Sequence, residues 1–460
     1  MEFSLPFILV ASVFTVVVGW LYLRESRRNP AFAWTFVFFY SFASKQLSIF
    51  YLDFHSVYMI ETDTVSGPSW ASLRMLLYHA TMIAGMITGT RLLQRSTGIR
   101  IGGLGQAPAL LPPVPPRFIH QGVLGVLLLV MFAQYVNLAL SSQLALTGGE
   151  ATRYNFWAEY ARFPILEKIF GNTIGFVPLA AACCFWAASR HEDRVGRRLA
   201  TGLIVAHQLC LLATGQRFHG FLLTMGPVIA LYLFYRVQTG QVFINRRAII
   251  LGVAFFACIL AYGLFDVSQR GMSQREEIGE YAPLYRIFVI QGGVLWAMHG
   301  YVDLAGPNGN WRDFFDGMTA VIVNLMPSAL GQAYLEKGVN LASGLPATAI
   351  WVLGLSLAVP FLFFFGLIQG GLLHLVFRVA RDNNALAAVF AYYLFSALTV
   401  MYSSGSLRPL ASPVTLAALA GVLVSLMFVS SLRERMALVA RPRTAPVRLR
   451  RLSPQLSEES

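Results

Sequence analysis

Long apolar runs separated by short polar segments constrain the fold of this chain more than any other feature. Many of these runs approach or exceed the roughly 20 residues that a helix needs to cross a bilayer. The chain has 460 residues, of which 12% are charged, whereas soluble domains carry about 25%. Because the hydrocarbon core offers no water to backbone polar groups, runs of this length must form helices. The sequence therefore predicts an all-α, polytopic helical bundle.

Eleven runs can be interpreted as membrane spans. The predicted spans are 4–23, 32–52, 71–93, 118–140, 169–189, 199–213, 219–235, 248–265, 346–376, 385–402 and 413–431. We predict a single transmembrane domain over residues 1–431, followed by a basic tail over residues 432–460. Residues 266–345 are predicted to form one long loop on the face opposite to this tail.

The distribution of lysine and arginine orients the predicted bundle. The loops that share one side carry 23 of the 35 basic residues, and the loops of the opposite side carry 10. Because cytoplasmic loops are enriched in basic residues, the N-terminus is predicted outside and the C-terminus in the cytoplasm. The net charge of +13 then reflects orientation and contact of the tail with anionic lipid headgroups. Nucleic acid is not expected as a partner.

Two stretches of the long loop are moderately apolar and admit two interpretations. The stretch 284–305 carries four polar or charged residues, and the stretch 314–335 has Pro327 in its middle. Either could be a span, and two extra spans would leave the orientation of later segments unchanged. We predict amphipathic helices that lie on or dip into the outer leaflet, because so many polar residues disfavour contact with lipid tails.

A polar turn at Thr214–Gly220 separates two apolar runs that leave little room for a loop between them. Arg217 and His219 must therefore lie at or just inside a membrane boundary. An arginine at the bilayer centre costs roughly 2.5–3.5 kcal/mol on insertion scales. Arg217 is therefore either a side chain that snorkels to the interface or a ligand contact. Gly215 and Gly220 would let the chain turn closely around it.

Other basic residues predicted on the outer side gather where like charges repel, which indicates an anion between them. Guanidinium groups match phosphate oxygens in a bidentate way, which suits a diphosphate. Lys45 and Arg74 lie in the outer halves of their spans, where buried cations often mark a ligand pathway. The remaining predicted substrate-binding residues are Arg153, Tyr154, Arg217, Arg270, Arg275, Arg286, Gln291 and Arg408.

Several side chains of the outer side are candidates for proton transfer, and the sequence does not choose among them. We predict His219 and His299 as catalytic groups beside Arg217, since histidine commonly serves as acid or base. The carboxylates that could take the same role are Glu150, Asp266, Glu276, Glu277 and Asp303.

Other chemistries find little support in the sequence. There is no GxxxxGK[ST] phosphate loop and no HExxH motif, which argues against an ATP-driven pump and a zinc protease. No acidic pair with DxD-like spacing stands in a predicted outer loop, so neither a metal ion nor another cofactor is expected. The four cysteines lie in apolar runs without CxxC spacing, which is typical of small hydrophobic side chains.

Taken together, these features resemble the Wzy-type polymerases of bacterial O-antigen and exopolysaccharide. The resemblance covers roughly residues 120–400. It is carried by the polytopic pattern, Arg153-Tyr154, the Thr214-Gly215-Gln216-Arg217 turn, the long outer loop and Ser343–Pro346 before the ninth predicted span.

The resemblance implies a metal-independent membrane glycosyltransferase of the GT-C class at the periplasmic face of the bacterial inner membrane. Its donor would be an undecaprenyl-diphosphate-linked oligosaccharide, transferred onto the non-reducing end of a new lipid-linked repeat unit. A chain-length regulator and a flippase are further partners that the resemblance implies. The residues then expected to hold the diphosphate or its glycan are Arg217, Arg286, Arg270 and Arg153, with Arg275 and Arg408 behind them.

Two other function classes stay open at this stage. An O-antigen ligase would use the same fold and donor but transfer the glycan to lipid A core. A flippase or transporter of the lipid-linked oligosaccharide would make no bond, and it should show repeat symmetry between its halves. We find no fixed-period repeat in the sequence.

Overall fold

The structure is a computed structural model, and its described part is all-helical, with no strand. The described residues are 3–28, 35–55, 57, 67, 70–96, 116–147, 149, 156–166, 176–216, 218–238, 250, 254, 257–258, 261, 288–289, 291–336, 344–381 and 384–440.

Within this part of the chain, fifteen α-helices follow one another along the sequence. They are α1 (Leu5–Arg28), α2 (Phe36–Phe54), α3 (Ala71–Ser96), α4 (Arg117–Leu140), α5 (Phe176–Arg190), α6 (Arg194–Ala213), α7 (Phe218–Gln238), α8 (Gln291–Ala305), α9 (Asp313–Asp316), α10 (Met318–Leu325), α11 (Ser328–Glu336), α12 (Gly344–Arg381), α13 (Ala385–Ser404), α14 (Arg408–Ala411) and α15 (Pro413–Ala440).

The predicted helical membrane architecture is confirmed at a coarse level. Among the described helices, four are long and apolar enough to cross a membrane: Leu5–Arg27, Arg117–Leu140, Gly344–Val379 and Ala387–Ser404. Ten of the eleven predicted spans coincide with helices, while most of the predicted span 248–265 lies outside the described residues. The number of eleven spans and their orientation stay predictions.

The first apolar stretch of the predicted long loop lies inside the bundle rather than on its surface. Residues 292–300 of α8 are all buried, and α8 packs against α2. Ser48 of α2 fixes the start of α8, because its hydroxyl accepts from the Gly292 N–H at 2.9 Å and lies within 3.0 Å of the Val289 carbonyl. The prediction of an amphipathic surface helix is therefore wrong for residues 292–300, which pack inside the protein.

The second apolar stretch is broken into short helices. The helices α10 and α11 are separated at Met326 and Pro327. Within α10, the buried residues are Met318, Val321, Ile322 and Leu325, which is the i, i+3, i+4, i+7 spacing of an amphipathic helix. The helix α10 is therefore amphipathic, while a position of this stretch at the outer leaflet stays a prediction.

A tight turn joins α6 to α7 at the polar segment singled out in the sequence. Gly215 has a φ of 69°, a left-handed conformation that glycine adopts without strain. The N–H of Gln216 donates to the Leu211 carbonyl at 2.9 Å, and that of Gly215 donates to the Leu212 carbonyl at 3.1 Å. This is the hydrogen-bond pattern of a Schellman motif. The predicted turn is confirmed, and Arg217 lies outside the described residues.

The two helices α3 and α12 pack with unusually close backbones. Each carries two glycines four residues apart, Gly85 and Gly89 on α3 and Gly366 and Gly370 on α12. A methyl group at any of these glycines would collide with a backbone carbonyl of the facing helix. Such small-xxx-small pairs let helices approach closely in membranes. The facing carbonyls belong to Phe363, Leu367, Met82 and Met86.

The helix α12 is interrupted at Gly354, whose φ of 77° and ψ of 177° are not helical. The loop between α8 and α9 docks on this break, where Pro307 packs against Gly354. The N–H groups of Asn308 and Gly309 donate to the carbonyls of residues 351 and 352, at 2.8 and 3.1 Å respectively. Because carbonyls near a helix break need donors from elsewhere, this loop stabilises the break.

Asp313, at the start of α9, ties the same loop to α12. Its carboxylate accepts from the Asn308 and Asn310 amides at 2.6 and 2.8 Å and from Trp351 Nε1 at 2.8 Å. The carboxylate is buried, and these three donors compensate its loss of hydration. The first part of α12 is thus held in place by side chains as well as by the backbone.

Candidate functional site

A lysine in the middle of α2 is buried with no carboxylate partner among the described residues. The side chain of Lys45 is 1% exposed, and its Nζ has no hydrogen-bond partner among the described residues. Burying a charged ammonium is costly unless it is paired. A buried cation of this kind within a membrane bundle is therefore a candidate for ligand binding.

Three further polar side chains with unmatched atoms surround this lysine. The ring of Tyr402 lies 5.1 Å from Nζ, and the rings of His79 and Tyr402 are 6.4 Å apart. Thr348 lies beside Gly405, directly after the end of α13. Among the described residues, the Tyr402 hydroxyl, His79 Nε2 and Thr348 Oγ1 have no hydrogen-bond partner. We call Lys45, His79, Thr348 and Tyr402 the Lys45 cluster.

Three helix ends meet at this cluster. Gly344, the first residue of α12, lies so close that a Cβ there would stand 2.8 Å from Nζ of Lys45. The same position abuts the Tyr402 carbonyl near the end of α13, and Gly292 at the start of α8 abuts the backbone of Lys45. Helix N-termini favour anions, whereas helix C-termini favour cations. The junction can therefore stabilise both a charged lysine and an anion beside it.

A second group of functional side chains lies between α3 and α8. Arg74 Nη1 donates to Asp303 Oδ2 at 2.6 Å, and both side chains are about one third exposed. One turn before Asp303, the fully buried ring of His299 stacks on Tyr78 at 5.8 Å. Neither ring nitrogen of His299 has a hydrogen-bond partner among the described residues. We call Arg74, Tyr78, His299 and Asp303 the Arg74 cluster.

The α8 face that carries this cluster is held by a partly buried hydrogen-bond network at the ends of α2 and α3. Asp53 accepts from Trp296 Nε1 and from the Ser72 N–H, both at 3.0 Å. Trp296, His299 and Asp303 follow the i, i+3, i+7 spacing of one helix face. This spacing explains why α8 turns all three side chains toward α2 and α3.

The two clusters share the helix α3. Arg74 and His79 are five residues apart on α3, which corresponds to roughly 7–8 Å along the helix axis. The Lys45 cluster lies further from the start of α3 than the Arg74 cluster does. The structure therefore brings three predicted residues, Lys45, Arg74 and His299, into one region of the bundle.

The fourth predicted residue whose side chain is described stays apart from these clusters. Arg408 is the first residue of α14 and is 74% exposed, and it pairs with Asp316 at 3.0 Å. Gln291 is the first residue of α8 and His219 is the second residue of α7, but their side chains lie outside the described residues. The predicted residues that lie wholly outside them are Arg153, Tyr154, Arg217, Arg270, Arg275 and Arg286.

No group of three or more histidine, cysteine and acidic side chains that could hold a metal ion is found among the described residues. The groups of the two clusters that can donate a hydrogen bond are one ammonium, one guanidinium, two imidazoles and three hydroxyls. Such groups bind anions and transfer protons.

Sequence reasoning missed most of the Lys45 cluster. His79 lies in a predicted span, and an ionisable residue there is by itself a signal of function. Tyr402 and Thr348 carry no such signal, because tyrosine and threonine are common in membrane helices. Their role depends on the meeting of α12 and α13 beside α2, which periodicity along one segment does not reveal.

Comparison with known proteins gives one family match. Residues 313–430 match the model of a family of unknown function, DUF6418. No curated protein and no solved structure matches the chain. The matched segment runs from α9 into α15, so it contains Thr348 and Tyr402 but neither Lys45 nor His79.

Proposed function

We propose that the protein is a membrane glycosyltransferase that polymerises undecaprenyl-diphosphate-linked oligosaccharide repeat units at the periplasmic face of the bacterial inner membrane. The observation that carries the proposal is the meeting of Arg74, Asp303 and His299 between α3 and α8. Two of these residues are predicted from the sequence alone, and they combine an anion-binding group with a group able to take a proton.

The reaction needs both kinds of group. The acceptor hydroxyl oxygen attacks the anomeric carbon of the donor sugar, and the bond from that carbon to the diphosphate oxygen breaks. The electron pair leaves with the diphosphate, while the hydroxyl proton passes to a base. Cationic donors aimed at the departing diphosphate stabilise the charge that develops there, and a positioned base accelerates the attack.

The Arg74 cluster can divide these tasks among its members. The ion pair with Asp303 uses one of the five N–H donors of Arg74 and fixes the guanidinium, which leaves other donors for phosphate oxygens. The imidazole of His299 is the proton acceptor in this proposal. The arginines predicted from the sequence would extend the same anion site, with Arg217 first among them.

A second candidate function is transport of the same lipid-linked oligosaccharide. It is favoured by the break of α12 at Gly354 and by the three helix ends that meet at Lys45. Transporters often bind substrates where helices are discontinuous, with N-termini directed at anionic groups. An O-antigen ligase shares the donor and the reaction and differs in its acceptor.

Reconstitution of the purified protein with a lipid-linked repeat unit tests the proposal. A ladder of polymer lengths on a gel is the expected result. Transfer that occurs only onto added lipid A core would indicate a ligase, and movement across the vesicle without bond formation would indicate a transporter. Either result would overturn the polymerase assignment.

The Arg74→Ala variant tests the cluster itself. We expect the rate of polymer formation to fall by roughly 100-fold or more, the scale seen when a donor to a developing oxyanion is lost. The matched control is Arg312→Gln, which removes an exposed arginine of the loop before α9 and should keep the wild-type rate. A wild-type rate in Arg74→Ala would remove this cluster from the reaction.

A further inference from the structure

We infer that the Lys45 cluster is a binding site for the phosphate group of an anionic ligand, set deeper in the bundle than the Arg74 cluster. The inference extends the proposed function, because a lipid-linked phosphate is one source of such a group. Its test is a binding measurement, so either proposal can fail without the other.

The charge at Lys45 is the first argument. Its Nζ is buried and has no hydrogen-bond partner among the described residues. The other described cations of the proposal are paired, as Arg74 is with Asp303 and Arg408 is with Asp316. An ammonium held in a bundle without a carboxylate is stabilised when an anion binds beside it.

The N-terminus of α12 is the second argument. Lys45 Nζ lies beside Gly344, the first residue of this helix. A Cβ built at Gly344 would stand 2.8 Å from Nζ. Helix N-termini bind phosphate through backbone N–H groups and through the aligned peptide dipoles. Here a buried, unmatched cation lies at the same end of the helix, so the two effects add.

The hydroxyl and imidazole groups supply the remaining contacts. Tyr402 and Thr348 can each donate one O–H to a phosphate oxygen. His79 Nδ1 donates to the Met75 carbonyl at 3.0 Å, so in the neutral ring Nε2 is an acceptor. A phosphate group that keeps one P–OH offers a matching donor to Nε2. Donors from several directions with a single acceptor fit a tetrahedral phosphate better than a planar carboxylate.

Two glycines keep this junction free of side chains. Gly344 and Gly405 have φ values of 76° and 70°, which other residues adopt only with strain. A Cβ at Gly405 would collide with Thr348 Oγ1, and one at Gly344 would press on Lys45 Nζ. Any larger residue would therefore cover the polar atoms that we assign to the ligand.

Ligand-induced stabilisation of the intact protein in lipid nanodiscs tests the site. The two probes are a polyprenyl phosphate incorporated in the nanodisc and inorganic phosphate in the buffer. We expect the wild type to gain thermal stability with at least one probe, and Lys45→Met to bind that probe at least tenfold more weakly. Lys45→Arg, which keeps the charge, should retain part of the binding.

The two probes separate the possible sources of the phosphate group. Stabilisation by polyprenyl phosphate that inorganic phosphate does not displace identifies a lipid-bound group. Stabilisation by inorganic phosphate alone identifies a free anion. The inference is overturned if both probes stabilise the wild type and Lys45→Met equally, or if neither probe stabilises the wild type.

Two more variants keep the test decisive if Lys45→Met does not fold. Tyr402→Phe and Thr348→Val each remove one hydroxyl without a change of shape, and each should weaken binding by about three- to tenfold. Wild-type affinity in both would reject the site. The matched control is Gln369→Met. It removes a buried amide that has no described hydrogen-bond partner and lies elsewhere on α12, and this variant should bind the probe as the wild type does.

Discussion

The α3–α12 interface and the Lys45 cluster are built on the same long helix, yet they follow opposite rules. At the interface, glycines bring backbones together, and the Thr90 hydroxyl has carbonyl acceptors at 2.8 and 3.2 Å. At the Lys45 cluster, glycines leave room around side chains whose polar atoms lack described partners. The interface is therefore organised for stability, whereas the cluster keeps unmatched polar groups at a cost in stability.

The break at Gly354 separates these two regions of α12. The part before the break holds Gly344 and Thr348 of the junction, and the part after it holds Gly366 and Gly370 of the interface. A single uninterrupted helix would transmit every displacement from one region to the other. The break lets the second part anchor the bundle while the first part positions polar groups.

The largest expected effect is a loss of stability when the interface is widened. In Gly366→Ala, the added methyl group meets the Met82 carbonyl of the facing backbone, which cannot rotate away as a side chain could. We expect the free energy of unfolding in detergent to fall by about 2–3 kcal/mol. Circular dichroism during thermal unfolding measures this change.

Gly122→Ala is the control for this variant, because a Cβ at Gly122 of α4 has no neighbour within 4 Å. It should leave stability unchanged or raise it by up to about 1 kcal/mol, since alanine is the better helix former. Equal losses in both variants would mean that close packing of α3 and α12 is not what stabilises the fold.

The next expected effect has the opposite sign. Lys45→Met removes a buried ammonium that has no described hydrogen-bond partner and retains most of the side-chain volume. Without added ligand, we expect the protein to become more stable by about 1–2 kcal/mol, because the desolvation cost of the charge disappears. Chemical unfolding of ligand-free protein measures this. A clear loss of stability would show that Lys45 has a structural role.

The smallest expected effect compares one substitution at two positions. Thr90→Val removes a hydroxyl that is hydrogen-bonded to two carbonyls and should cost about 1 kcal/mol. Thr348→Val removes a hydroxyl with no described partner and should change stability by less than about 0.5 kcal/mol. The two midpoints of thermal unfolding are measured side by side. If Thr348→Val were the more damaging, the contrast between the regions would be wrong.

The helices were predictable because hydropathy reports on each segment separately. The predicted span 118–140 corresponds to Arg117–Leu140, and 385–402 corresponds to Ala385–Ser404. The burial of α8 was not predictable in this way. Its polar residues argued against contact with lipid, but the side chains that hold this helix inside the bundle, such as Ser48 and Asp53, lie more than 240 residues away in sequence.

The candidate site was predictable only where a single residue carries a signal. Lys45 and Arg74 stood out as cations in apolar spans, and the structure adds that Arg74 has a carboxylate partner and Lys45 has none that is described. The glycine pairs of α3 and α12 had a recognisable spacing, yet spacing does not tell which helix is the partner. Tyr402 needed the tertiary fold, because its polar atom matters only beside α2.

The pairing of α3 with α12 also sets an order of events during synthesis. Thr90 and Gly370 are 280 residues apart in the chain, and ribosomes add roughly 5–20 residues per second. The glycine face of α3 must therefore wait roughly 14–56 s in the bilayer before its partner emerges. During that interval α12 is not yet available to cover it, so correct biogenesis depends on keeping this face from pairing with other segments.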